Sequence, residues 1–166
     1  MTTQHHEFDY EICNSRIRPI AEELVKKYEE LRHIDPSKIL FVLNHAASGE
    51  SKKKIILANT SRISPKWTEI IFQLGACSFF HTMEFYSKTT SMLDENQMVA
   101  LVYRELRSIG PEGQIVSPDV HDWWQILMGL GRYWFYPDQT CPNLLDDKVD
   151  WKKLMGSYYE EPRVPE

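Results

Sequence analysis

The order of apolar and polar positions divides the 166-residue chain into helical and extended segments. Through residues 14–32, Ile17, Ile20, Ala21, Leu24, Tyr28 and Leu31 recur every three or four positions. That period puts them on one face of a helix, opposite a solvated face of Glu22, Glu23, Lys26, Lys27, Glu29 and Glu30. Asn14 or Ser15 suits the helix cap, and Pro19 suits the first turn. Asp35-Pro36 ends the segment and leaves His33 in a loop. Residues 38–44 (KILFVLN) form a compact apolar run of strand character. The stretch HAASGESKKK is a polar turn, and residues 55–58 (IILA) return as a second strand, which predicts a hairpin. Ser64-Pro65 opens a short helical or irregular piece carrying Trp67 and Ile70. Residues 76–86 (ACSFFHTMEFY) alternate with period two and predict a third strand. Phe79, His81, Met83 and Phe85 share one face. His81, in phase with apolar neighbours, is expected to be a hydrogen-bonded core or edge residue.

The next segment is a second long helix. Asp94 with Gln97 three residues on has the form of a capping box, and Glu95 favours the same helix end. The helix should run to about Ser108 and stop at Gly110-Pro111. Met98, Leu101, Val102, Glu105 and Ile109 share one face, so Glu105 stands where an apolar residue is expected. Burying a carboxylate without a partner is costly. Glu105 therefore belongs to a polar cleft or pairs with Arg104, Arg107 or His121. Residues 113–116 suit a small hairpin or extended loop. Ser117, Pro118 and Asp119 then predict another helix start, with Trp123 and Trp124 as packing residues and an end near Gly129 or Gly131. Beyond Arg132 the chain is aromatic and irregular, with exposed aromatics suited to an interface. Residues 150–155 suit one helical turn, and the acidic, Pro-rich end should fray.

Composition narrows the class. Hydrophobic residues make up 42% and charged residues 26%, as in a soluble domain large enough for a core. The net charge of -5 argues against a general nucleic-acid binder. The basic run Lys52, Lys53, Lys54 reads as a solvated strand edge, with a phosphate or nucleic-acid contact as the sharper alternative. The adjacent pair His5 and His6 reads as solvated. Cys13, Cys77 and Cys141 are odd in number and form no C-x-x-C pair, which predicts reduced thiols and a cytosolic setting. No apolar run of about 18 residues is present, and MTTQHHEFDYE lacks the build of a signal peptide. No G-x-S-x-G or Gly-rich phosphate loop occurs, and neither Cys77 nor Ser108 shows an adjacent base in the sequence.

Residues 102–123 read VYRELRSIGPEGQIVSPDVHDW. Upstream stand LRHIDPSKILFV and the D-E-x-Q helix start that leads into Y-x-E-L. Over residues 8–130 this order of elements resembles the phage metallopeptidase family, an SprT-like, zincin-like group. The family pattern reads Y-H-E-L-x-H-I, then a turn, then H-D-V-E-D-W/F. Laid on this chain, the first His falls on Arg104, the Glu on Glu105, the second His on Ser108 and the third His on Pro118. Asp119, Val120, Asp122 and Trp123 match, and His121 stands where the family has Glu.

The resemblance implies an α+β fold. Expected are a small zincin-like domain with an N-terminal helix, a three- to four-stranded, mainly antiparallel sheet, and a central active-site-type helix followed by a second helix. Residues 14–136 would form this domain, after a polar lead-in (1–13) and before a partly irregular C-terminal extension (137–166). In a zincin helix, two imidazoles at i and i+4 bind zinc and the intervening Glu acts as general base. Here none of the three matched ligand positions holds a zinc-binding side chain, and Arg104 would repel a dication. Two expectations follow. In the first, the chain is a metal-free relative without cofactor, with Arg104 in the metal's place, held by Glu105 and by Asp119 or Asp122. It would bind a protein or peptide, in the host bacterial cytosol if phage-encoded. In the alternative, it is an active zinc metallopeptidase with rearranged ligands drawn from His121, His81, Glu105 and the aspartates, and Glu105 is the base.

Overall fold

The computed structural model describes residues 8–47, 50–51, 54–75, 77–118 and 122–159. The fold is α+β. Strand β1 (Tyr10–Ile12) leads directly into helix α1 (Asn14–Lys27). Strand β2 (Ile39–Asn44) follows, and a two-residue pair, β3 (Glu50–Ser51) and β4 (Lys54–Ile55), forms a separate small ribbon. Then come β5 (Ala58–Arg62), α2 (Pro65–Gln73), β6 (His81–Tyr86) and the one-turn α3 (Ser87–Thr90). Helix α4 (Glu95–Leu106) is central, and α5 (Trp124–Gly129) and α6 (Trp151–Met155) are short.

The main sheet has the order β1-β2-β6-β5. Its outer pairs are antiparallel and its central pair, β2 with β6, is parallel. The predicted hairpin between residues 38–44 and 55–58 does not form. Residues 58–62 instead pair with β6, and Ile39 to Asn44 run alongside His81 to Tyr86. Apolar alternation fixes which face of a strand is buried, but says nothing of which strand lies beside it. A parallel pair also needs a long crossover, and the stretch between β2 and β6 supplies it. Strand β5 is an edge strand whose outward residues, Asn59 and Ser61, are exposed, so its sequence carries little apolar signal.

Phe79, His81, Met83 and Phe85 are buried together, as the alternation predicts. Met83 and Phe85 join Ile39 and Phe41 in the main core with the buried faces of α1 and α4. Ile17, Ala21 and Leu24 form the buried stripe of α1. The N-terminal lead-in is not wholly apart from the sheet, because Tyr10–Ile12 is its edge strand. Nor does the core end at residue 136. Cys141, Leu144, Trp151 and Met155 are buried in it. Tyr28, Tyr103 and Trp151 meet ring to ring, with centroids 5.0–6.0 Å apart.

The helix predicted to start at Ser117-Pro118 begins instead at Trp124, with Trp123 at its cap. The Asp122 carboxylate accepts from the Trp123 backbone N–H at 2.8 Å and is also bound to Arg104. Ser117 and Pro118 carry no regular secondary structure.

Candidate functional site

Helix α4 sets the site. Its capping box is complete: the Asp94 carboxylate accepts from the Gln97 N–H at 2.8 Å, and the Gln97 carbonyl oxygen accepts from the Asp94 N–H at 2.9 Å. The Gln97 amide nitrogen also donates to the carbonyls of Trp134 and Tyr136, at 3.0 and 2.8 Å. The start of the helix is thus tied to the aromatic segment, in which Trp134 is buried and Tyr133 and Tyr136 are exposed.

The last turn of α4 carries Glu105, only 5% exposed. Its Oε2 accepts from the Thr60 hydroxyl of β5 at 2.8 Å. Its Oε1 accepts from Nη1 of Arg104 at 3.0 Å. The same guanidinium donates through Nε to Asp122 Oδ1 at 3.0 Å. Arg104 therefore bridges two carboxylates that lie 17 positions apart in the chain (122 − 105). Charge-assisted bonds of this geometry are the stronger class of hydrogen bond. Burial pushes the Glu105 carboxyl above the ordinary carboxylate range. Arg104 and the Thr60 hydroxyl pull it back, and the Asp122 charge adds to the rise.

Trp123 locks the arrangement from the other side. Its indole N–H donates to the Arg104 carbonyl at 3.0 Å, which satisfies one of the free carbonyls at the helix end. The Arg107 guanidinium lies 4.8 Å from the centroid of the same ring. Arg107 also donates to Gln125 Oε1 and to the Tyr103 hydroxyl, both at 3.2 Å. Tyr103 in turn donates to Glu30 Oε1 at 2.5 Å. Burial and the Glu30 carboxylate hold the Tyr103 hydroxyl well above its ordinary pKa. Arg104 thus pairs with Glu105 and Asp122, Arg107 lies 3.9 Å from Glu30, and Trp123 contacts both arginines.

The remaining site residues lie apart. His81 Nε2 contacts the Gly113 carbonyl at 2.8 Å, and His33 Nε2 contacts the Ile109 carbonyl at 2.7 Å. A carbonyl only accepts, so each Nε2 carries its proton and these rings brace the loop after α4. Gly113 has φ +73°, which that turn requires of it. The Ser108 carbonyl accepts from Val116 N–H at 2.8 Å, and the bridge between Ile109 and Ile115 closes the small antiparallel turn expected near residues 113–116. Pro118 is half-buried. Asp119 and His121 lie outside the described residues, as do His5, His6, Lys52 and Lys53. The sequence singled out Glu105, Arg104 and Asp122, which the fold brings together. It gave no signal for Thr60, which reaches Glu105 across 45 positions, or for the Glu30–Tyr103–Arg107 chain.

A model of the family described as Putative phage metallopeptidase matches residues 8–159. The chain belongs to this family. No curated protein and no solved structure is significantly similar to it. The family's name implies a metal, and the described residues do not suit one. A catalytic zinc takes about three protein ligands and a water. Among the described residues no group of three or more His, Cys, Asp and Glu side chains is placed to hold an ion. The two carboxylates at the centre are already bonded to a guanidinium, whose fixed positive charge opposes a dication beside it.

Proposed function

We propose that this member of the phage metallopeptidase family works without zinc at its Arg104 centre, and acts as a binding protein for a protein or peptide partner rather than as a peptidase. The observation that carries this reading is the Arg104 guanidinium bonded at 3.0 Å to both Glu105 and Asp122. A half-buried cation with two carboxylate partners fills the electrostatic role a metal would have, without offering a site for a nucleophilic water. The other former ligand positions, Ser108 and Pro118, agree with it, since neither side chain is a usual zinc ligand. Helix α2 supplies a surface suited to a partner. None of its residues is buried, and Trp67 and Phe72 on it, with Leu74 just beyond, are all more than half exposed. On this reading the chain needs no cofactor and, if phage-encoded, works in the host bacterial cytosol.

The test is metal content with peptidase assay on the purified chain, supplied with zinc. Expected are substoichiometric zinc and no cleavage of unstructured protein substrates. About one zinc per chain, lost in His121→Ala, with cleavage abolished by Glu105→Gln, would overturn the reading in favour of a zinc peptidase with rearranged ligands.

A further inference from the structure

The parallel pair β2 and β6 ends beside a cavity that the Arg104 centre does not use. It has a volume of about 720 Å³ and lies between these strand ends, α1 and the start of α4. In a parallel pair, the space outside the carboxyl ends of the strands is where ligands are bound in open α/β sheets. The volume falls in the range of small-molecule sites.

Strand register brings the ends of β1, β2 and β6 side by side there. Leu43 pairs with Phe85, and Glu11 of β1 pairs with Leu43. His45 follows the last residue of β2 and Ser87 opens α3, and the two side chains meet just beyond the strand ends. His45 Nδ1 lies 3.1 Å from the Ser87 hydroxyl, and His45 Nε2 lies 3.1 Å from Glu11 Oε2. The carboxylate can only accept, so Nε2 carries the proton. In the neutral ring Nδ1 is then an acceptor, directed at the Ser87 O–H. Nucleophile, base and a third group that orients the base are all in hydrogen-bond reach. Ser87 and His45 line the cavity, and the His45 side chain is 8% exposed. Cys13 lines it too, but burial pushes that thiol up to about 11, so it is not a thiolate at neutral pH.

We propose that Ser87, His45 and Glu11 form a serine-nucleophile site that hydrolyses small carboxylic esters with an apolar acyl group. Ile17, Leu43 and Phe85 line the space for the acyl chain, and Arg16, which lies beside Cys13 in the same wall, is the cation available to the developing oxyanion. The Ser87 proton passes to His45 Nδ1 as Oγ bonds to the acyl carbon. The C–O bond to the leaving group breaks, and His45 returns the proton to it, releasing an alcohol. Water, deprotonated by the same nitrogen, then cleaves the acyl-serine to the carboxylic acid and restores Ser87. No metal takes part, and the site is independent of the Arg104 centre.

The experiment uses the full chain with 4-nitrophenyl butyrate and, separately, a fluorophosphonate probe mapped by mass spectrometry. Expected are labelling of Ser87 and ester turnover insensitive to chelators, which falls by about 100-fold or more in Ser87→Ala and in His45→Gln. Glu11 positions the base, so Glu11→Gln should lower kcat with little change in KM and shift the pH profile. A wild-type chain that the probe leaves unlabelled at Ser87 overturns the proposal without need of any variant. So does turnover that persists in folded Ser87→Ala. Turnover lost to a chelator and to Glu105→Gln, but kept in Ser87→Ala, would overturn both this site and the metal-free reading of Arg104. Absence of Ser87 labelling together with absence of zinc would overturn this site alone.

Discussion

Arg104 Nε donates to Asp122 Oδ1 at 3.0 Å while the Trp123 indole donates to the Arg104 backbone carbonyl at the same distance. One residue is thus clasped at both its side chain and its main chain by two consecutive residues of D-V-x-D-W. The side chains of Arg104, Glu105 and Asp122 are 22%, 7% and 13% exposed. In such surroundings, removing one partner of an ion pair leaves the others charged and unpaired, at a cost of about 3–5 kcal/mol. Arg104→Leu should therefore destabilise the fold by about that much in urea unfolding. Adding Glu105→Leu and Asp122→Asn should recover most of the loss, because a well-packed neutral set often equals the ion pair it replaces. A single Arg104→Leu change that costs nothing would show that the bridge carries no stability.

Glu105 makes a separate prediction in pH. Its folded pKa is raised above the ordinary value of 4.5, chiefly by burial. The unfolded chain therefore gives up this proton at lower pH than the folded chain. Between the two pKa values the folded state holds more protons, so stability falls as pH rises through that window. Glu105→Gln removes the term and keeps an acceptor for Thr60. The stability of the variant relative to the wild type should rise with pH from about 4.5 upward. Parallel pH dependence of the two proteins in urea titrations would refute it.

How far the sequence foretold these contacts depends on their range. The start of α4 was readable because a capping box is a local device: Asp94 and Gln97 act within three positions. The burial of Phe79, His81, Met83 and Phe85 followed from alternation. Glu105 was conspicuous as a carboxylate on an apolar face, and its pairing with a neighbouring arginine was among the outcomes expected. Thr60 was invisible, because nothing in ANTSR marks one hydroxyl as the partner of a residue 45 positions on. The hairpin expectation failed for a related reason. Sequence neighbours are the default strand partners, yet β2 found β6 instead. The S-P-D helix start failed because Asp122, further on, is committed to Arg104 and to the Trp123 N–H.

Gln97 extends the reach of the capping box. Its amide donates to the Trp134 and Tyr136 carbonyls while its oxygen holds the Asp94 N–H. Gln97→Ala should leave three backbone groups without these partners, costing about 2–3 kcal/mol from the cap and the buried carbonyl together. Trp134 is 2% exposed in the native chain, so its fluorescence should shift to the red as the segment loosens. Loss of stability without any change in tryptophan emission would mean that the aromatic segment is held by other contacts.

Lys27, at the end of α1, holds the other distant segment. Its Nζ donates to the carbonyls of Leu144, Asp146 and Val149 at 2.7, 2.5 and 2.7 Å, and the Tyr28 hydroxyl adds a 2.8 Å bond to Leu144. Three carbonyls converging on one ammonium shape the loop that delivers Trp151 to the core. In Lys27→Met the stem still packs but the three bonds go. Water can reach the partly exposed carbonyls, so the net loss should be modest, about 1–2 kcal/mol. It should also be local. Amide exchange should speed up across residues 144–155, where the Lys27-bound loop meets α6, and remain unchanged in α4, whose cap depends on Asp94 and Gln97. Equal acceleration in both regions would mean that the C-terminal segment and α4 open as one unit, with Lys27 no more than one contact among many.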